Sequence, residues 1–383
     1  MKIPEQFDPI RPFEPDELPD VFDRLLQNEQ FSSVLAYLYP DVPKEALAAK
    51  MHACKDNLDF QKTFCYGFLV QLLARLSKGC NIDIASLDTD SRYTFISNHR
   101  DIVLDSALLD KLLIDAGFNT TCEIAIGDNL LKLPWVKDLV RVNKSFIVER
   151  ALSMREMLMA SKRLSEYMHF VIAEKNDNVW IAQREGRAKD SNDRTQEAIL
   201  KMMVMGGEGS IIDRLKQLHL VPLAISYEYD PCDYLKAAEL QARRDNPSWQ
   251  KGPMDDVTSM QTGIMGYKGH IHYEAAPCIN TWIDELADLP KAQFFTALAQ
   301  RMDREIHRRY RLYPTNCIAA DLLDGDGAFA DRYTREDREA FEHYVAQRVA
   351  LIDLPNKDED YLRERILTMY ANPARNQRRA LEA

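Results

Sequence analysis

The sequence predicts an α/β fold with a largely parallel central sheet and surrounding helices, flanked by N- and C-terminal helical regions. Two patterns predict it. Between about residues 90 and 285, short β-rich runs alternate with helical stretches, the arrangement that gives parallel sheets. On either side, apolar residues recur at helical spacing. The 383 residues exceed what one compact core needs, so a central domain with extensions is expected.

The elements follow in order. Residues 1–86 read as an extended arm and then helices, with Phe64, Phe68, Leu72 and Leu76 on one stripe. The α/β domain spans 87–285. Its strands are expected at 93–97, 122–126, 145–149, 178–182, 220–228 and 269–276, with helices such as Arg150–Tyr167 and Asp193–Met203 between them. Residues 286–383 return to helix. Phe295, Leu298, Met302, Ile306 and Tyr310 form one face, crowded by arginines. Thr334 and Asp337 form a capping box for a second helix that buries Phe341, Tyr344, Val345, Val349 and Ile352. The basic tail 374–383 reads as frayed.

Charge and composition exclude several classes. The net charge of −11 repels nucleic-acid phosphates and disfavours general adhesion to anionic lipid. Seven scattered cysteines without a C-x-x-C pair fit a reducing compartment, not a disulfide framework or zinc knuckle. The acidic, proline-rich start lacks a signal-peptide pattern. The longest apolar run, Thr63 to Leu76, falls short of the roughly 20 residues of a spanning helix. A cytoplasmic protein is expected, either free or peripheral on the inner face of a membrane.

Asn98-His99-Arg100-Asp101 follows the first expected strand, where α/β folds place their sites. Asp105 comes next, then the apolar run SALLDKLLIDAG. A histidine beside a carboxylate can take a proton while the carboxylate holds its tautomer. Alone, such a histidine is more often a cap or a surface residue. Four segments in order strengthen it: Asn98-His99 with Asp105, SFIVER ending in Arg150, EGRAK at 185–189, and LVPLAISYE around Pro222.

Together these blocks resemble the glycerolipid acyltransferase family, which includes glycerol-3-phosphate, dihydroxyacetone-phosphate and lysophosphatidate acyltransferases. The connector carrying Gly127, Asn129, Leu130 and Pro134 is similar to the first two branches. The resemblance covers about residues 90–280. It implies catalysis by His99 with Asp105 or Asp101, and substrate binding by Arg100, Arg150, Glu185, Gly186, Arg187, Lys189 and Pro222. Two departures stand out. The family motif is N-H-x4-D, whereas five residues separate His99 from Asp105. Asp101 lies closer in sequence, so both carboxylates are candidates; the helix S-A-L-L after Asp105 favours it. The third block is one residue shorter than Glu-Gly-x-Arg.

The implied reaction moves a fatty acyl group from a thioester of coenzyme A or acyl-carrier protein to glycerol 3-phosphate or lysophosphatidate. No cofactor or metal is expected. No G-x-S-x-G elbow is present, so transfer is expected to be direct. Fixed arginines suit an oxyanion acceptor. The alternatives are a non-catalytic lipid- or carrier-binding protein on the same fold, an N-acyltransferase with an amine or amino-acid acceptor, and a thioester hydrolase.

Other features read more plainly. His270-x-His272 puts two rings on one strand face without a nearby third ligand. GGEGS at 206–210 lacks the Lys-Ser/Thr of a phosphate loop and reads as a turn. Trp180 and Trp282 read as core or cleft lining, and Cys232 as a packed small residue. The helix around 294–311 could lie on a bilayer, but packing on the catalytic domain is favoured. With it, residues 64–76 and Leu130–Trp135 are the candidate membrane contacts.

Overall fold

A computed structural model describes residues 3–150 and 153–382. Its centre is a seven-stranded sheet: β1 (Gly79–Asp83), β2 (Thr94–Ser97), β3 (Cys122–Gly127), β4 (Ser145–Val148), β5 (Asn178–Ala182), β6 (Leu220–Tyr227) and β7 (His270–Ala275). The strand order is β1-β7-β6-β2-β5-β3-β4. Every neighbouring pair is parallel except β6 with β7. All six expected strands are present. β2 lies in the middle, and every residue of β2 and β6 is buried, as helix-covered parallel strands require.

Alternate residues supply the two cores. Ile96, Val179 and Ile181 face one side, packed under the helices Met154–Phe170 and Lys291–His307. Phe95, Trp180 and Val221 face the other, under Tyr66–Leu76 and Leu104–Asp115. The result is a three-layer α/β/α arrangement. Two helical satellites join it. One holds the N-terminal helices Leu18–Gln27, Glu29–Leu38 and Lys44–His52. The other joins the C-terminal helices to Asp233–Asp245.

Four expectations change. The sheet begins before residue 87, because β1 pairs with β7 at the edge. Its sequence, GCNID, is poor in β-branched and aromatic residues and only half-buried, so no strand pattern marks it. The helix expected from Asp193 begins at Glu197, because Asp193 and Thr195 are drawn into tertiary contacts. The helix expected from Arg150 begins at Met154, behind a Ser153–Glu156 capping box; residues 151 and 152 lie outside the described part. The C-terminal tail is not frayed. It continues the helix Glu359–Glu382 through Pro373 and buries Ala374, Asn376 and Ala380. Near the proline, Asn316 donates to the Tyr370 carbonyl at 3.0 Å.

The candidate membrane segments are packed in part, with Val70 and Leu133 left exposed. Phe294, Leu298, Met302 and Ile306 are buried. Leu69, Leu72 and Leu73 lie in the core beneath the sheet. Trp135 packs on Phe31 and donates to Gln30 at 2.8 Å. Among the described residues, no helix is long and apolar enough to cross a membrane.

The capping box at Thr334 and Asp337 forms as expected. His272 meets Asn81 at 2.8 Å and His270 stacks on Tyr313. Gly207 and Gly209 take positive φ in the 206–210 turn, which leads into a helix capped by Ser210.

Candidate active site

The site forms where β2 ends. Asn98 continues the strand with its side chain: it donates to the Ile225 carbonyl at 2.9 Å and accepts from the Ile225 N–H at 2.8 Å. This clasp fixes the chain direction just before His99. Trp180 anchors to the Ser97 hydroxyl at 3.1 Å and meets the His99 ring edge-to-face, with centroids 5.7 Å apart. The imidazole is therefore walled by β5.

Asp105, fully buried, reaches His99 Nδ1 at 2.7 Å. The same oxygen accepts backbone N–H groups from Arg100 at 2.6 Å and Asp101 at 3.0 Å. A carboxylate can only accept here, so the Nδ1–H tautomer follows and Nε2 carries the lone pair. Among the described residues, Nε2 has no hydrogen bond, and the side chain keeps 13% exposure.

Asp101 does different work. Its Oδ1 accepts from Val103 and Leu104 at 2.9 and 2.8 Å, starting the helix Leu104–Asp115. Burial, then the Asp105 charge, raises its carboxyl above the usual range. The extra residue between His99 and Asp105 is taken up in this turn. Gly263 of the helix Asp255–Met265 crosses it closely: a Cβ there would lie 1.9 Å from Asp101 Oδ2.

The candidate cations Arg150, Arg187 and Lys189 lie on two segments. Arg150, after β4, reaches Glu185 at 2.8 Å, and its backbone N–H donates to Asp128 at 3.2 Å. Its guanidinium lies over Gly127, where a Cβ would come within 2.8 Å of Nε. Glu185 is exposed, and Gly186 turns the chain with φ +66°. Arg187 is buried, yet its Nη1 has no partner among the described residues. Lys189 pairs with Glu239 at 2.7 Å. Burial, then the Arg187 charge, pushes its amine down to about 8. The second and third blocks thus meet through Arg150 and Glu185.

Two of the expected substrate-binding residues have structural partners. Arg100 is buried, with its guanidinium held by Ser191 and Asp193. Its carbonyl accepts from Lys236 at 3.1 Å. Its Nε has no partner among the described residues. Pro222 sits inside β6 opposite Ile96, buried on all sides, and accepts from the Ala276 N–H at 2.8 Å. Its value is to the sheet, since it lies below the strand ends where the site opens.

Sequence reasoning missed the loop 191–196 behind the site. Asp193, fully buried, holds Arg100 and accepts the His99 N–H at 3.4 Å. Asp303 accepts from the Thr195 N–H and hydroxyl, both at 2.7 Å. His307 Nε2 meets the Asp193 carbonyl at 3.1 Å, while Arg194 reaches Nδ1 at 3.5 Å. No local pattern marks Asp193; its partner is 93 residues away.

Burial, then the charges of Arg194 and Arg379, pushes the His307 imidazole down to about 3 from 6.5. The folded value lies below the unfolded one, so the unfolded chain binds more protons between them. This group therefore costs stability progressively as pH falls from about 6.5 toward 3. His307→Gln keeps a donor and an acceptor but removes that titration. Urea unfolding at about pH 7 and about pH 5 should show a smaller acid loss in the variant than in the parent. Equal losses would refute the buried neutral imidazole.

A His–Asp pair thus stands at the C-terminal end of a central strand, with arginines on neighbouring loops, a geometry in which an imidazole can accept a proton. Residues 81–226 match the family model described as Acyltransferase. No curated protein sequence matches the chain. Among solved structures, the chain is similar to the 1-acyl-sn-glycerophosphate (LPA) acyltransferase PlsC from Thermotoga maritima. The identity is 13% and the TM-score 0.37, over 78% of this chain and 98% of that one.

Proposed function

We propose that this chain transfers a fatty acyl group from a coenzyme A or carrier-protein thioester to the hydroxyl of a phosphorylated glycerol acceptor, glycerol 3-phosphate or lysophosphatidate. The observation that carries the reading is the His99–Asp105 contact of 2.7 Å inside the segment that matches the Acyltransferase family model.

In this scheme Nε2 of His99 takes the proton from the acceptor hydroxyl as its oxygen attacks the thioester carbonyl. Asp105 stabilises the imidazolium that forms. The tetrahedral oxyanion collapses, the C–S bond breaks, and the thiolate leaves with the proton returned from His99. No acyl-enzyme and no cofactor are required. Arg187 and Arg150 would meet the acceptor phosphate, the former with a buried guanidinium that has an open donor.

Thiol release from palmitoyl-coenzyme A and palmitoyl-carrier protein tests this, run with glycerol 3-phosphate, lysophosphatidate, glycine or no acceptor, and with products identified by mass spectrometry. Release should depend on a phosphorylated acceptor. Glycine-dependent release would point to the amine acceptor, and acceptor-independent release to a hydrolase. Arg187→Gln should raise KM for the phosphorylated acceptor by about 10- to 100-fold, the cost of a lost charged hydrogen bond. An unchanged KM would remove Arg187 from the acceptor site.

A further inference from the structure

A second basic cavity lies behind the loop that holds His99. Its volume is about 220 Å³. Arg194 lines it from that loop, Asp303, Arg304 and His307 from the helix Lys291–His307, and Asn376 and Arg379 from the helix Glu359–Glu382. Three guanidiniums face one carboxylate, a local excess of two positive charges on a chain whose net charge is −11.

The carboxylate is already engaged. Asp303 takes both Thr195 donors through one oxygen, and its other oxygen lies 3.9 Å from Arg194. Arg194 also donates to Asn376 at 3.1 Å. The Arg304 and Arg379 side chains have no ion pair or hydrogen bond among the described residues, and both residues are exposed and line the cavity. Three like charges converging on one concave surface repel one another unless an anion comes between them. Guanidinium forks on three separate segments suit a tetrahedral oxyanion with several acceptor atoms. Neither Arg150 nor Arg187 belongs to this wall.

We propose that this cavity is a second anion site, which takes a phosphate group and couples it to the back of the His99 loop. The inference goes beyond acyl transfer and stands without it. The coupling runs through named contacts: Arg194 belongs to the loop, His307 holds the Asp193 carbonyl, and Asp193 holds Arg100 and the His99 N–H. A phosphate bridging Arg194 to Arg304 and Arg379 would tie this loop to both C-terminal helices. The phosphate can be free, or it can belong to a nucleotide such as the one coenzyme A carries.

Calorimetric titration with inorganic phosphate and with adenosine 3′,5′-bisphosphate, at constant ionic strength, tests the site. It uses the full chain, Arg304→Gln/Arg379→Gln, the single Arg379→Gln, and Arg150→Gln/Arg187→Gln. Melting in phosphate-free buffer verifies that each variant folds. The full chain should bind phosphate, with affinity falling at least about tenfold in Arg379→Gln and further in the double variant. The Arg150→Gln/Arg187→Gln protein should retain it. Tighter binding of the bisphosphate, lost in the same variants, would name a nucleotide as the source; equal affinity would name free phosphate. Absence of binding at about 20 mM phosphate, a Kd unchanged by both cavity variants, or loss only in Arg150→Gln/Arg187→Gln would overturn the proposal. Because these readouts are binding alone, they distinguish failure of this site from failure of the acyl-transfer reading.

Discussion

His99→Ala should lower acceptor-dependent thiol release by about 100- to 10,000-fold, the usual contribution of a positioned general base. Stability should change little. The ring is partly exposed, makes one hydrogen bond among the described residues and touches Trp180 at its edge. Asp105→Asn separates the two halves of the pair. The backbone N–H groups of Arg100 and Asp101 both point at one Asp105 oxygen, so an amide would present its carbonyl there and still accept from His99. Its NH2 would fall where Asp105 Oδ1 is now buried without a partner. Turnover should therefore fall because the imidazolium loses its counter-charge, and stability should fall by about 1–3 kcal/mol for the buried unsatisfied donor. Rates and urea midpoints for both variants check this. Full turnover in His99→Ala would sink the general-base scheme.

Asp193→Ala should produce the largest loss of stability, about 3–5 kcal/mol by urea unfolding. The substitution strands the buried Arg100 guanidinium, whose Nε already lacks a partner. Breaking one side of a buried ion pair leaves an uncompensated charge, which costs more than the pair itself contributes. Activity should fall as well, by displacement rather than chemistry. Arg100 supplies a backbone N–H to Asp105, and Asp193 holds the His99 N–H. Arg100→Met with Asp193→Leu, an apolar replacement of the whole pair, should recover much of the stability. A loss below about 1 kcal/mol in Asp193→Ala would mean that the pair is not a buried one.

The α/β class and all six expected strands were legible because the strands are apolar, short and separated by helical patterns. β1 was not, because an edge strand with one exposed face can tolerate Gly, Asn and Asp. The helical tail was misread as frayed because its basic residues suggested solvent. Its burial depends on partners contributed by the helix Pro314–Asp324, more than 40 residues earlier. The Thr334 cap was readable because a capping box is local.

For the site, the sequence by itself determined the position of His99 after a central strand, the order of the four blocks, and the availability of Asp101 and Asp105 within six residues. Tertiary structure alone decided between the two carboxylates. It turned Asp101 into a helix starter and brought Asp105 to the ring. It also tied Arg100 to Asp193, seated Pro222 within β6, set Arg150 against Glu185, and introduced His307. The physical reason is reach. Periodicity, caps and turns follow from neighbours within a few residues, whereas a buried charge finds its partner only after the chain has closed. Arg100 and Asp193 are 93 residues apart, and His307 holds Asp193 across 114.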